Sequence, residues 1–186
     1  MKSVLISIRP QWVEKIANGE KTIEVRRTRP KLEVPFKCYI YETKGQYIKF
    51  IHGAHTKYGY GRGKVIGEFI CDKVYSIKNR GSSFSVADEE QSVTNEIARQ
   101  SCLYYDDMVS YFGNKDGFGW HISDLKIYDK PKELGDFKKH CHYKDRNSYC
   151  LANECEYYSD WTGICCNWVE RPPQSWCYVE DLGEEK

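Results

Sequence analysis

The sequence predicts an α+β fold: a small mixed β-barrel with an N-terminal helix, a mid-chain helical insertion and a cysteine-rich C-terminal excursion. Three observations predict it. Short strand-like runs recur from residue 2 to about residue 130, and helical spacing interrupts them only twice. The helices are too few to cross over between parallel strands, which does not fit a parallel sheet. After Phe137 the composition changes, and Cys141, Cys150, Cys155, Cys165 and Cys166 crowd into a loop-rich stretch. At 186 residues the chain is long enough to bury a core of its own. The expected divisions are 1–137 for the barrel, 138–170 for the cysteine-rich segment and 171–186 for a closing strand and tail.

Lys2–Ile8 reads as the first strand, with Val4, Ile6 and Ile8 on one face. Pro10 begins a helix that carries Trp12, Val13, Ile16 and Ala17 at helical spacing, and Asn18-Gly19 ends it. Thr22, Glu24 and Arg26 then alternate with Ile23 and Val25. If Ile23 and Val25 pack inward, Glu24 and Arg26 lie side by side on an open face, and Lys21 joins them from the turn. Prolines 30 and 35 mark a loop, and Phe36–Thr43 is rich in strand formers. Residues 45–63 hold glycines with His52, His55, Tyr58, Tyr60 and Arg62, and predict an irregular exposed loop or hairpin. Lys64–Ile77 reads as one long strand with Val65, Phe69 and Val74 inward, and Gly67 marks a close backbone approach. Helices are expected over Ser85–Gln100 and Tyr104–Phe112, the second ended by Gly113. Gly117–Tyr128 is a further strand, and the run from Arg171 to Glu180 returns to the barrel.

The pattern Gly19-x-Lys21-x-x-Glu24-x-Arg26, set between a helix and a strand, resembles the signature of the ASCH domain, a small relative of the PUA domain. Val65-Ile66-Gly67-Glu68-Phe69 and Trp120-His121-Ile122 add to the likeness, which covers roughly residues 1 to 130. The resemblance implies a PUA-like barrel with a cleft, RNA binding and, in some members, RNA or nucleoside chemistry. A bacterial amidohydrolase of this family deacetylates 4-acetylcytidine with a lysine, a threonine nucleophile and an acid. Lys21 matches that lysine, but Glu24 stands in register with the threonine. Covalent acyl transfer therefore lacks its hydroxyl. Read from the residues alone, Lys21, Glu24 and Arg26 are also compatible with a surface ion-pair ladder of little consequence for stability.

Basic and acidic residues number 28 and 27, so the net charge names no partner. Their distribution is less even. Lys44 to Arg80 carries eight basic residues against two acidic ones, and Ser85 to Asp107 carries six acidic against one basic. One basic and one acidic face would suit a nucleic-acid binder. Arg9, Glu14 and Lys15 interrupt any signal-peptide core, no apolar run approaches a membrane span, and the expected location is cytoplasmic. There thiols stay reduced, and clustered cysteines bind metal more often than they pair. A structural zinc held by four of Cys141, His142, Cys150, Cys155, Cys165 and Cys166 is the expected staple; free buried thiols and disulfides are the alternatives. Cys38, Cys71 and Cys102 read as core residues.

Three functional classes fit these residues. The first is an RNA or nucleotide binder. In it Lys21, Glu24 and Arg26 form the cleft, Tyr41, Trp12 and Trp120 offer stacking surfaces, and Lys64 belongs to a backbone track. The second is a hydrolase acting on RNA or modified nucleosides. Lys21 and Glu24 would then be catalytic, with Arg26 stabilising charge and His52, His55 or His121 assisting. The third is a regulatory protein whose cysteine-rich segment docks a partner.

Overall fold

The computed structural model describes residues 2–51, 55–81, 83–141, 158–159, 164–165 and 167–183. In chain order the elements are β1 (Lys2–Ile8), α1 (Pro10–Ala17), β2 (Ile23–Arg26), β3 (Phe36–Glu42), β4 (Gly45–Ile51), β5 (His55–Gly61), β6 (Val65–Cys71), β7 (Val74–Asn79), β8 (Phe84–Val86), α2 (Gln91–Ser101), α3 (Tyr105–Phe112), β9 (Gly117–His121), β10 (Ser123–Lys132), β11 (Tyr158–Ser159), β12 (Ile164–Cys165) and β13 (Trp176–Glu180). A short 3₁₀ turn covers Leu134–Asp136.

Two larger sheets organise the chain. One has the order β10-β6-β3-β1-β13 and the other β2-β9-β7-β8; β4 with β5, and β11 with β12, form two-stranded ladders. The first core lies between them. It joins Val4, Ile6 and Ile8 of β1, Cys38 and Ile40 of β3 and Phe69 of β6 to Val13 and Ile16 of α1 and Trp120 of β9. A second core sets Ile23, Val25, Ile77, Phe84 and Val86 against Ile97 of α2 and Met108 and Phe112 of α3. A third covers the other face of the five-stranded sheet, where Leu5, Tyr39, Tyr41 and Val179 meet Phe137 and Val169.

The described strands form no closed barrel, in contrast to the sequence expectation. The free edge of β1 is taken by β13, antiparallel from Lys2↔Glu180 to Ile6↔Trp176, while β2 pairs with β9. Two expected strands are divided for the same reason. Lys64–Ile77 breaks at Asp72-Lys73 and Gly117–Tyr128 breaks at Ile122, and at each break the chain passes from one sheet to the other. The helix expected from Ser85 begins only at Gln91, because Phe84–Val86 first pairs with β7 as a short edge strand. Gly67 does mark a close approach: a Cβ there would stand 2.5 Å from the Lys126 carbonyl oxygen of β10.

Candidate functional site

Gly19 takes φ +74 and lets the chain leave α1 in a tight turn. Lys15 O then accepts from the backbone N–H of both Glu20 (2.9 Å) and Lys21 (3.1 Å), which fixes where Lys21 enters. β2 is buried on both faces. Ile23 and Val25 turn into the second core, so alternation turns Glu24 and Arg26 toward the other side, where the register sets Glu24 opposite Trp120.

The three charged groups meet there. Lys21 Nζ lies 3.4 Å from Glu24 Oε2, and Arg26 Nη2 lies 2.8 Å from Glu24 Oε1. Lys21 Nζ also donates to the carbonyls of Ile23 (2.8 Å) and Ser101 (2.6 Å), so three acceptors surround the ammonium. Ser101 is the last residue of α2, where the carbonyl end of the helix dipole favours a cation. Arg26 Nη2 donates to Ser7 O at 2.6 Å, and Nη1 reaches Ser175 Oγ at 3.5 Å. The guanidinium thereby ties β2 to β1 and to the residue before β13. The Trp12 ring, half-buried, lies with its centroid 5.4 Å from Lys21 Nζ.

This cluster is not on an open face. Lys21, Glu24 and Arg26 are 2 %, 5 % and 7 % exposed, because β2 has packing partners on both sides. Burial pushes the Lys21 pKa below its ordinary value, and the Glu24 carboxylate opposes part of that shift. Two buried donors on this face find no acceptor among the described residues: Arg26 Nε and Trp120 Nε1. A buried donor left unpaired is costly, so such groups are places where a ligand's acceptor gains most.

Other expected site residues lie elsewhere. Trp120 and Tyr41 are buried, Trp120 edge-on to Phe36 and Tyr41 in the third core. Neither offers a stacking face to solvent, which corrects the expectation for both. Lys64 is half-buried, its side chain 42 % exposed, and pairs with Glu133 at 2.6 Å. The basic stretch is partly neutralised in the same manner, by Lys73–Glu89 and Lys78–Asp116 contacts. His121 bonds Asp72 through Nδ1 at 2.6 Å, and alternation along β9 turns it away from the face that carries Trp120. His52 lies outside the described residues, as does the side chain of His55.

Of the expected zinc ligands, Cys141 is a half-buried free thiol and Cys165 is described only as strand backbone; His142, Cys150, Cys155 and Cys166 lie outside the described residues. Among the described residues no group of three or more His, Cys, Asp or Glu is placed to hold a metal ion. Cys38 and Cys71 are buried as expected, but Cys102 caps α2 at φ +54 and is half-buried. Sequence reasoning did not find Ser7, Ser101 or Ser175. Two of them act through backbone carbonyls, which carry no residue-type signal, and all three are remote from the motif in the chain.

A family model for the ASCH domain matches residues 6–111. Among solved structures, the ASCH protein of Zymomonas mobilis is similar over 96 % of this chain and 87 % of its own, at 17 % identity and a TM-score of 0.53. Two single-residue variants of that protein match likewise. One has 17 % identity, a TM-score of 0.54 and coverage of 97 % and 91 %; the other has 16 %, 0.52, and 96 % and 88 %. At such identity the likeness shows the fold. No curated protein matches the sequence.

Proposed function

The chain belongs to the ASCH domain family, PUA-like domains generally linked to RNA binding, and from that membership we propose that it binds RNA at the Lys21–Glu24–Arg26 cluster. The supporting observation is the unspent hydrogen-bonding capacity there. Arg26 Nε and Trp120 Nε1 are buried donors without acceptors among the described residues, and the Arg26 guanidinium is already oriented by Glu24 and Ser7. Phosphate oxygens and base carbonyls are acceptors that suit such donors. Trp12, half-buried against Lys15 and Lys21, is an aromatic beside the cluster that retains some exposure. In this reading Glu24 positions the two cations, Arg26 reads the ligand, and Lys21 anchors the turn to α2.

The test is binding of short single-stranded RNA to Arg26→Ala and Arg26→Lys, each checked for an unchanged fold by circular dichroism. Arg26→Ala is expected to weaken binding by ~1–3 kcal/mol, and Arg26→Lys to recover only part of it, because lysine lacks the planar fork. Wild-type affinity in a folded Arg26→Ala variant would reject the assignment.

A hydrolase acting on RNA or modified nucleosides is the second reading, and one observation favours it. Burial lowers the Lys21 pKa, the direction a lysine base requires. Against it, all three ammonium protons already have acceptors, and Glu24 supplies no hydroxyl nucleophile. Release of acetate from 4-acetylcytidine, or RNA cleavage, that stops on Lys21→Ala is the result that favours the enzyme. The cysteine spacing after residue 140 further supports a structural zinc, measurable as about one equivalent per chain by elemental analysis. No helix among the described residues is long and apolar enough to cross a membrane, and a cytoplasmic location is part of the same proposal.

A further inference from the structure

The β4–β5 hairpin has two unlike faces. Its inner face rests on α1, where Tyr47 donates to Glu14 Oε2 at 3.1 Å. Gly59 stands opposite Tyr47 in the ladder, and a Cβ there would run into the Tyr47 ring. The outer face carries the alternate positions, with Gln46 opposite Tyr60 and Ile48 opposite Tyr58. These side chains have little cover: Ile48 is 54 % exposed, Tyr58 61 % and Tyr60 69 %. Two aromatic rings thus stand two residues apart on one strand face, about 6.8 Å along it, each able to take its own base.

The charges of the segment that carries them have one sign. From Lys44 to Gly67 the chain holds five basic residues and no acidic one. Arg62 follows directly after β5 with a mostly exposed side chain; its backbone N–H donates to Glu42 Oε2 at 2.7 Å and its Nε lies 3.9 Å from the same oxygen, a counter-charge that a phosphate would have to displace. Beyond it Arg62, Lys64 and Lys130 line an open groove of about 710 Å³ with Pro131, Glu133 and Asp136. Glu133 and Asp136 are counter-charges that a polyanion would have to displace, and Lys64 is bound to Glu133 already. Exposed aromatic rings on a strand face, followed in the chain by Arg62 and Lys64, match the chemistry of unpaired nucleotides, whose bases stack while their phosphates pair with Lys and Arg.

We infer that the outer face of this hairpin is a second RNA contact, on which Tyr58 and Tyr60 stack unpaired bases while Arg62, Lys64 and Lys130 hold the phosphates beside them. The inference rests on the RNA-binding reading but not on the Arg26 cluster. Neither tyrosine supports a core, so substitution there leaves the fold intact. The experiment measures fluorescence polarisation of a labelled single-stranded RNA of about ten nucleotides with the full chain. The proteins are wild type, Tyr58→Ala, Tyr60→Ala, Tyr58→Phe, Tyr60→Phe and Arg26→Ala. Each alanine variant is expected to bind roughly tenfold more weakly, and each phenylalanine variant as wild type, since the ring and not the hydroxyl stacks. Loss in the tyrosine variants with Arg26→Ala unchanged upholds the hairpin and overturns the cluster reading. Wild-type affinity in both alanine variants overturns the hairpin, whatever Arg26→Ala does. So does the finding that these variants lose only binding to anionic phospholipid vesicles, or only a concentration-dependent self-association.

Discussion

Glu24 is the hinge of the charged cluster, because it is the carboxylate that both Lys21 and Arg26 touch. Removing one partner of a buried ion pair leaves the others uncompensated, so Glu24→Ala is expected to lower unfolding stability by ~3–5 kcal/mol in a denaturant titration. A loss below about 1 kcal/mol, the scale of a surface pair, would show that solvent reaches the cluster freely. Two buried thiols, Cys38 and Cys71, and the half-buried Cys177 give a second check at this scale. Burial pushes Cys71 up to about 12 and Cys177 up to about 11, and raises Cys38 well above its usual value. Only the thiolate reacts, so peptide mapping after alkylation of the native protein near pH 8 should find these three unmodified. The convergence of Lys21, Glu24 and Arg26 was legible from alternation around Ile23 and Val25. Their burial was not, because nothing in the strand's own sequence says that a second sheet packs over Glu24 and Arg26.

At the scale of elements, β13 is held at its end by a polar latch. Tyr39 donates to Asp181 Oδ1 at 2.5 Å, and Lys37 Nζ lies 3.2 Å from the same oxygen. Burial pushes the Asp181 carboxyl up, but hydrogen bonds from Tyr39, the Gly183 N–H and Lys37 outweigh it, and the pKa is lowered from 3.8. A depressed carboxylate stabilises the fold above its unfolded pKa and loses that contribution as pH falls through the folded value. Wild-type stability should therefore fall more steeply below about pH 4 than that of Asp181→Asn, when both are followed by urea unfolding across the acid range. Parallel curves would remove Asp181 from the acid response. Gly67→Ala is expected to destabilise by ~1–3 kcal/mol, since a Cβ has no room beside the Lys126 carbonyl; an unchanged midpoint would mean that β10 yields. The close approach at Gly67 and the helix Tyr105–Phe112 were readable from single residues and spacing. The breaks at Asp72 and Ile122 were not, because a strand that changes sheets keeps its alternation and its β-branched residues on both sides of the break.

For the whole molecule, the motif lies where three distant parts of the chain close together: Ser7 beside β2, the end of α2 at Ser101, and Ser175 before β13. The family resemblance and the mixed α and β composition were legible in the sequence. The open two-sheet arrangement was not, because it depends on β13 claiming the edge of β1, a pairing between residues at least 170 positions apart that local pattern does not encode. The central claim is that this assembly binds RNA through a site of cationic and donor groups. Its most direct test is the affinity for a short single-stranded RNA across a salt series, for wild type and Lys64→Ala. With three or four phosphate contacts, at ~0.7 counterions each, log affinity should fall against log salt with a slope of about −2 to −3, and Lys64→Ala should flatten it by up to about one unit. No detectable binding at low salt, or an affinity that does not change with salt, would contradict the account.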